Sequence, residues 1–146
     1  MSSSNIQENF ARSEKMKEED YSALIQAALD AREQAYAPYS KFRVGAALET
    51  TDGTVFTGCN VENSSFGLCI CAERTAICKA VSNGYQQFKA IAVAATPFAS
   101  PCGACRQFLA EFGTDIQVIA VDADDLSKQE IWLVEELIPA SFKIQF

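Results

Sequence analysis

The chain contains no histidine. That absence removes the commonest general acid–base group and every Ser–His or Cys–His nucleophilic arrangement, so proton transfer falls to a carboxylate. It also means that a closed structural zinc site would need four cysteines. Glycine and proline are sparse, 7 and 4 of 146 residues, which excludes collagen-like and low-complexity chains. No uncharged run is long enough to cross a bilayer, and residues 1–20 are polar and charged with no apolar stretch of signal-peptide length. Positive charge is also short: 12 Lys and Arg against 19 Asp and Glu give a net charge of −7, with the basic residues scattered. Such a field repels polyanions but not a small neutral ligand. The expectations are a cytoplasmic protein with no membrane segment and no nucleic-acid partner.

What is present is a chain of one-domain size, 49% apolar and 21% charged, able to bury a core without disulfides. Residues 1–17 read as a flexible polar tail and 18–146 as a single catalytic domain. Across 18–36, Leu24, Ala28 and Ala31, with Ile25 and Leu29, recur at helical spacing, and Pro38 closes the segment. Phe42, Val44, Ala46 and Leu48 alternate as in a strand, and Asp52-Gly53 turns the chain into a second strand over 54–61. A loop of small residues leads to a helix over 71–83, a strand over 89–95, a helix over 103–112 and a strand over 116–121. A polar turn, a short strand at 131–133 and a helical turn at 134–138 complete the order. Strands joined through helices require crossovers, so the expected fold is a layered α/β domain with helices on both faces of a mixed sheet.

Three cysteines stand at two of these helix starts: Cys71 in Cys71-Ala72-Glu73-Arg74, and Cys102 with Cys105 in Pro101-Cys102-Gly103-Ala104-Cys105-Arg106. Helix N-termini stabilise thiolates, the form that binds zinc. Alone, the C-x-x-C suits a redox dithiol equally well. With Cys71 added, three thiolates leave one position for water, the arrangement of a catalytic zinc. Cys59, Cys69 or Cys78 would have to supply a fourth ligand to a structural site; otherwise these three read as small buried hydrophobes.

Glu73, two residues beyond Cys71 in a first helical turn, is the carboxylate best placed for proton transfer, although an isolated glutamate there serves only the helix dipole. Three thiolates carry excess negative charge, and a guanidinium donating to them would offset it. Arg74 is the first candidate and Arg106 the second, with an exposed helix face as the alternative for Arg106.

Together, Cys71-Ala72-Glu73 and Pro101-Cys102-Gly103-Ala104-Cys105 resemble the zinc signature of the cytidine deaminase superfamily, enzymes in which a zinc-activated water deaminates a base and a non-ligand glutamate moves the protons. Residues 40–47 (SKFRVGAA), 58–63 (GCNVEN) and 135–142 (EELIPASF) resemble the small nucleoside class in particular. The resemblance runs from about residue 35 to 142. It implies a three-layer α/β/α sandwich around a five-stranded mixed sheet, and one Zn2+ per chain on Cys71, Cys102 and Cys105. It further implies hydrolysis of cytidine and deoxycytidine to uridine, deoxyuridine and ammonia, as in pyrimidine salvage, with Glu73 shuttling protons. Asn60 and Glu62 would bind the ribose hydroxyls, Phe42 pack on the base, the Ala72 N–H meet the base carbonyl and Ser100 offer its backbone to the departing amine. Phe142 would reach a neighbour's site in a homotetramer whose active sites are completed by adjacent subunits. Phe66 stands where the family often has tyrosine. The alternatives are a deaminase of a modified nucleoside such as blasticidin S, and a noncatalytic zinc-stabilised module.

Overall fold

The computed structural model describes residues 3–145; Met1, Ser2 and Phe146, the extremities of the expected tail and domain, lie outside the described residues. The segment read as a flexible tail is helical, α1 (Ser3–Glu18). It has no glycine or proline and several good helix formers, so composition permits a helix where polarity suggested a tail. Its described side chains are exposed, Ile6 and Phe10 included. The single helix expected over 18–36 begins later, as α2 (Ser22–Arg32), because Asp20 accepts hydrogen bonds from the Ser22 N–H and hydroxyl and sets a turn between the two helices.

Five strands follow: β1 (Gly45–Thr50), β2 (Val55–Cys59), β3 (Phe88–Ala95), β4 (Gln117–Asp122) and β5 (Gln129–Leu133). Between them lie α3 (Ala72–Ser82) and α4 (Gly103–Phe112), with the short α5 (Val134–Leu137) after β5. The sheet order is β2-β1-β3-β4-β5; only β3 and β4 run parallel, joined by the α4 crossover. Such a crossover demands a helix on one face of the sheet.

Alternation along the strands divides the core. On one face α2 buries Leu24 and Ala28 against Ala47, Ala90, Ala92, Ala94, Ile119 and Val121. On the other, α3 and α4 bury Ala76, Ile77, Ala80 and Leu109 against Ala46, Leu48, Ile91, Val93 and Val118. Each large aliphatic side chain taken fully from water contributes about 1.5–3 kcal/mol. The architecture is thus the three-layer sandwich around a mixed five-stranded sheet that the sequence predicts.

Small residues set how close the layers come. A Cβ on Gly45 would lie 2.0 Å from the Ala28 carbonyl oxygen of α2, and one on Gly58 would lie 2.5 Å from the Ala76 nitrogen and 2.7 Å from the Ala72 oxygen of α3. Gly58 therefore lets the first turns of α3 rest directly on β2, which fixes where that helix begins.

Candidate active site

The N-termini of α3 and α4 converge. Cys71 caps α3 and Cys102 caps α4, both with extended backbone, while Cys105 is buried in the first turn of α4. Their three sulfurs lie within 4.8 Å of one another, and Cys71 Sγ is 3.8 Å from Cys102 Sγ. Tetrahedral zinc–thiolate geometry, with Zn–S near 2.3 Å, requires sulfurs about 3.8 Å apart. The donor set fits zinc in both spacing and chemistry. Cys59, Cys69 and Cys78 do not join the cluster. Nor are they the buried hydrophobes expected: Cys59 and Cys69 are half-buried and Cys78 is exposed, because Ala76, Ile77 and Ala80 take the inward face of α3.

Arg74 turns back over the cluster and donates from Nη2 to Cys71 Sγ at 3.4 Å. In the metal-free chain the Cys71 thiol is pushed down to about 5, first by the hydrogen bond from the Cys105 thiol and then by Arg74 and Cys102, against the opposing effect of burial. Cys105 moves the other way: it gives its proton to that bond, and burial and the negative charge of Glu73 hold it up further. One thiolate is thus already in place before a metal arrives. The pairing also raises the pKa of Arg74, which stays charged.

Glu73 is 5% exposed, an unusual position for a carboxylate. Burial, its largest influence, raises its pKa, and the negative charge of Cys71 adds to the rise. A carboxyl that is easily protonated beside three sulfurs can both accept and return a proton.

Cys71, Cys102 and Glu73, with Cys105 buried behind them, lie in the wall of a cavity of about 250 Å³, also lined by Phe42, Asn60, Glu62, Ala72, Ser100 and Cys69. Its rim is built by the backbone. Val61 and Ile70 exchange N–H···O bonds of 2.9 Å in an antiparallel bridge, closing the loop between them and bringing Cys71 opposite Asn60. The Asn60 amide bridges two backbone groups, accepting from the Val44 N–H at 2.9 Å and donating to the Phe42 carbonyl at 2.8 Å. This fixes the main chain at Phe42, the aromatic of the rim, and leaves the amide one N–H and one lone pair. Glu62 accepts from the backbone N–H groups of Tyr39 and Ser40 and from the Ser40 hydroxyl, and these bonds hold its pKa down, Ser40 foremost. The clamping role of Asn60 has no signature in sequence.

Ser100 lies on the strap between β3 and α4, where Arg106 also acts. Arg106 donates to the Pro101 carbonyl, the Ser100 hydroxyl and the Leu137 carbonyl, so it neither faces the sulfurs nor stands free on an exposed helix face. At the start of the strap, buried Asp122 accepts from Thr96 Oγ1 at 3.3 Å and from the Asp124 N–H at 2.9 Å. Phe142, in contrast, is 70% exposed and outside the cavity, its carbonyl accepting from Gln107 Nε2. Of the residues expected to touch the substrate, it alone does not line this chain's own cavity.

Residues 18–121 match the family described as "Cytidine and deoxycytidylate deaminase zinc-binding region". The chain is 55% identical over 112 residues to a probable cytidine deaminase of Dictyostelium discoideum, covering 75% of this chain and 76% of that one. It is 48% identical over 128 residues to a cytidine deaminase of Halalkalibacterium halodurans, covering 84% and 94%. Its fold is similar to the crystal structure of cytidine deaminase from Burkholderia pseudomallei, with a TM-score of 0.80 at 48% identity over 85% of this chain and 100% of that one.

Proposed function

Because the chain belongs to the cytidine and deoxycytidylate deaminase zinc-binding family, we propose that it hydrolyses cytidine and deoxycytidine to uridine and deoxyuridine, releasing ammonia, as a step of pyrimidine salvage. The observation that carries this reading is the buried Glu73, in the wall of a nucleoside-scale cavity, beside a cluster of three converged thiols. Cys71, Cys102 and Cys105 would hold the zinc, which supplies Lewis acidity and brings the pKa of water from about 15.7 toward about 7. Arg74 donates to Cys71 Sγ and so offsets the charge of the thiolates.

Glu73 does the proton work. It takes the proton released as water adds to C4 of the base and delivers it to ring N3, then takes the proton of the new C4 hydroxyl and passes it to the amine as the C4–N bond breaks and the C4 carbonyl forms. Its raised pKa suits a group that must hold a proton between steps. Ala72 opens α3, so its N–H is among those a helix leaves without an intrahelical partner and is free for the base carbonyl. Phe42 packs on the base, the Ser100 backbone receives the departing amine, and Asn60 and Glu62 take the ribose hydroxyls with the bonding capacity their backbone contacts leave.

The cavity lining includes no Lys or Arg, which together with the net charge of −7 favours a neutral free nucleoside over a polynucleotide. Exposed Phe142 fits a homotetramer in which each site is completed by neighbours, and thiol ligands fit the reducing cytoplasm. No helix among the described residues is long and apolar enough to cross a membrane. Residues 18–146 would form the single catalytic domain.

The test is ultraviolet absorbance of metal-quantified protein mixed with cytidine, before and after a zinc chelator. Turnover that tracks zinc content supports the reading. A zinc-replete sample inert toward cytidine, deoxycytidine and blasticidin S would leave a noncatalytic module.

A further inference from the structure

The strap between β3 and α4 is fixed at both ends by charged side chains. Asp122 holds its start, and Arg106 holds its end with Nε on the Pro101 carbonyl at 2.7 Å and Nη2 on the Ser100 hydroxyl at 2.8 Å. The third arm, Nη1, donates to the Leu137 carbonyl at 2.8 Å, so one planar fork ties the strap to the end of α5. Only between these fixed ends do Ala99 and Ser100 line the cavity.

Two features argue that Arg106 is there for this latch. It sits in the first turns of α4, where the helix dipole disfavours a cation, so helix stability does not recommend it. No ion pair of Arg106 is found among the described residues; its charge is met by the two carbonyls and the hydroxyl it binds. With the Ser100 side chain turned to Arg106, the main chain is what this residue has left to offer the cavity.

We propose that Arg106 is a positioning residue for the reaction, holding the Ser100–Pro101 backbone at the spacing from Glu73 that the departing amine requires. This rests on the deaminase reading above. A lysine can reach one of the three acceptors but cannot fork across them. Displacement of a positioned group by about 1 Å can cost roughly 100-fold in rate.

The experiment compares wild type, Arg106→Lys and Arg106→Ala for zinc content, thermal melting, and kcat and KM on cytidine. Both variants are expected to keep their zinc and shift KM by less than about threefold while kcat falls by about 30-fold or more. Added guanidinium ion at millimolar concentration should raise the kcat of Arg106→Ala and not that of wild type. If Arg106→Ala does not fold, Arg106→Lys decides the matter through its split between kcat and KM. Zinc-replete variants with kcat within about threefold of wild type, or a kcat loss that only follows lost zinc or lost fold, overturn the proposal. A zinc-replete wild type with no turnover sinks the deaminase reading itself, and this proposal with it.

Discussion

Replacing Gly58 by alanine tests whether β2 sets the position of the metal site. The added Cβ would meet the Ala76 nitrogen at 2.5 Å, the Ala72 oxygen at 2.7 Å and the Thr75 Cβ at 2.9 Å, where ordinary contact begins at 3.4 Å. Two of these atoms belong to the α3 backbone and cannot turn aside. The first turns of α3, which carry Glu73 and follow Cys71, must therefore lift by about 0.9 Å. Overpacking of this kind costs about 1–3 kcal/mol, which for a domain of this size lowers the melting temperature by roughly 3–9 °C. The chemical penalty is separate: a shift near 1 Å in Glu73 relative to the α4 cysteines should lower kcat by about 10- to 100-fold. Calorimetry and steady-state kinetics on the zinc-loaded variant read the two effects independently. Gly103→Ala is the control, since a Cβ there meets nothing within 4 Å. If Gly58→Ala melts and turns over like wild type, the claim that this contact locates the site is wrong.

Glu73→Gln should retain zinc and fold, because the amide matches the carboxyl in shape and burial there already works against its charged form, yet lose about 1000-fold or more in kcat; a zinc-replete variant within tenfold of wild type on the absorbance assay contradicts the proton role. In the metal-free protein, Cys71 should react with iodoacetamide down to about pH 5. Because this folded pKa lies below the unfolded thiol value of about 8.5, Cys71 ionisation stabilises the metal-free fold above that value, and the contribution fades as pH falls toward 5. Mass-spectrometric mapping of alkylation against pH checks this, and Arg74→Ala should move the profile upward. Asn60→Ala frees the backbone at Phe42 and Val44 and should raise KM for cytidine by about tenfold, equivalent to one lost hydrogen bond of roughly 1.4 kcal/mol; an unchanged KM would deny the clamp any part in binding.

The apolar runs over 89–95 and 116–121 were legible because strands buried on both faces have no polar alternation to obscure them, and β3 and β4 begin and end within a residue of those runs. The strand read from residue 42 starts at Gly45 instead. Phe42 and Val44 are bonded to the Asn60 side chain, and no rule of alternation distinguishes such a partner from a neighbouring strand. The turn at Asp20 was hidden for a similar reason, since an aspartate that receives Ser22 interrupts a helical period without changing it. At the site, cysteine spacing at helix starts exposed the thiol cluster and Glu73. The Arg106 latch and the Asp122 clamp were not legible, because each depends on loops that meet only after the crossover has folded.

The alanines at the centre of the sandwich bear on how this protein can change over time. Ala46 faces the α3 and α4 layer while its neighbour Ala47 faces α2, and both are completely buried. Enlarging either one thickens a single layer and leaves the covalent sheet to pass the displacement on. Distance from the cysteines is therefore a poor guide to which substitutions are harmless. A methyl group added beneath α2, on the far side of the sheet, bears on β1, whose opposite face meets the helix holding Glu73 at Ala46, and lineages of this fold are expected to drift at their surfaces and edges while the middle of the sheet stays small.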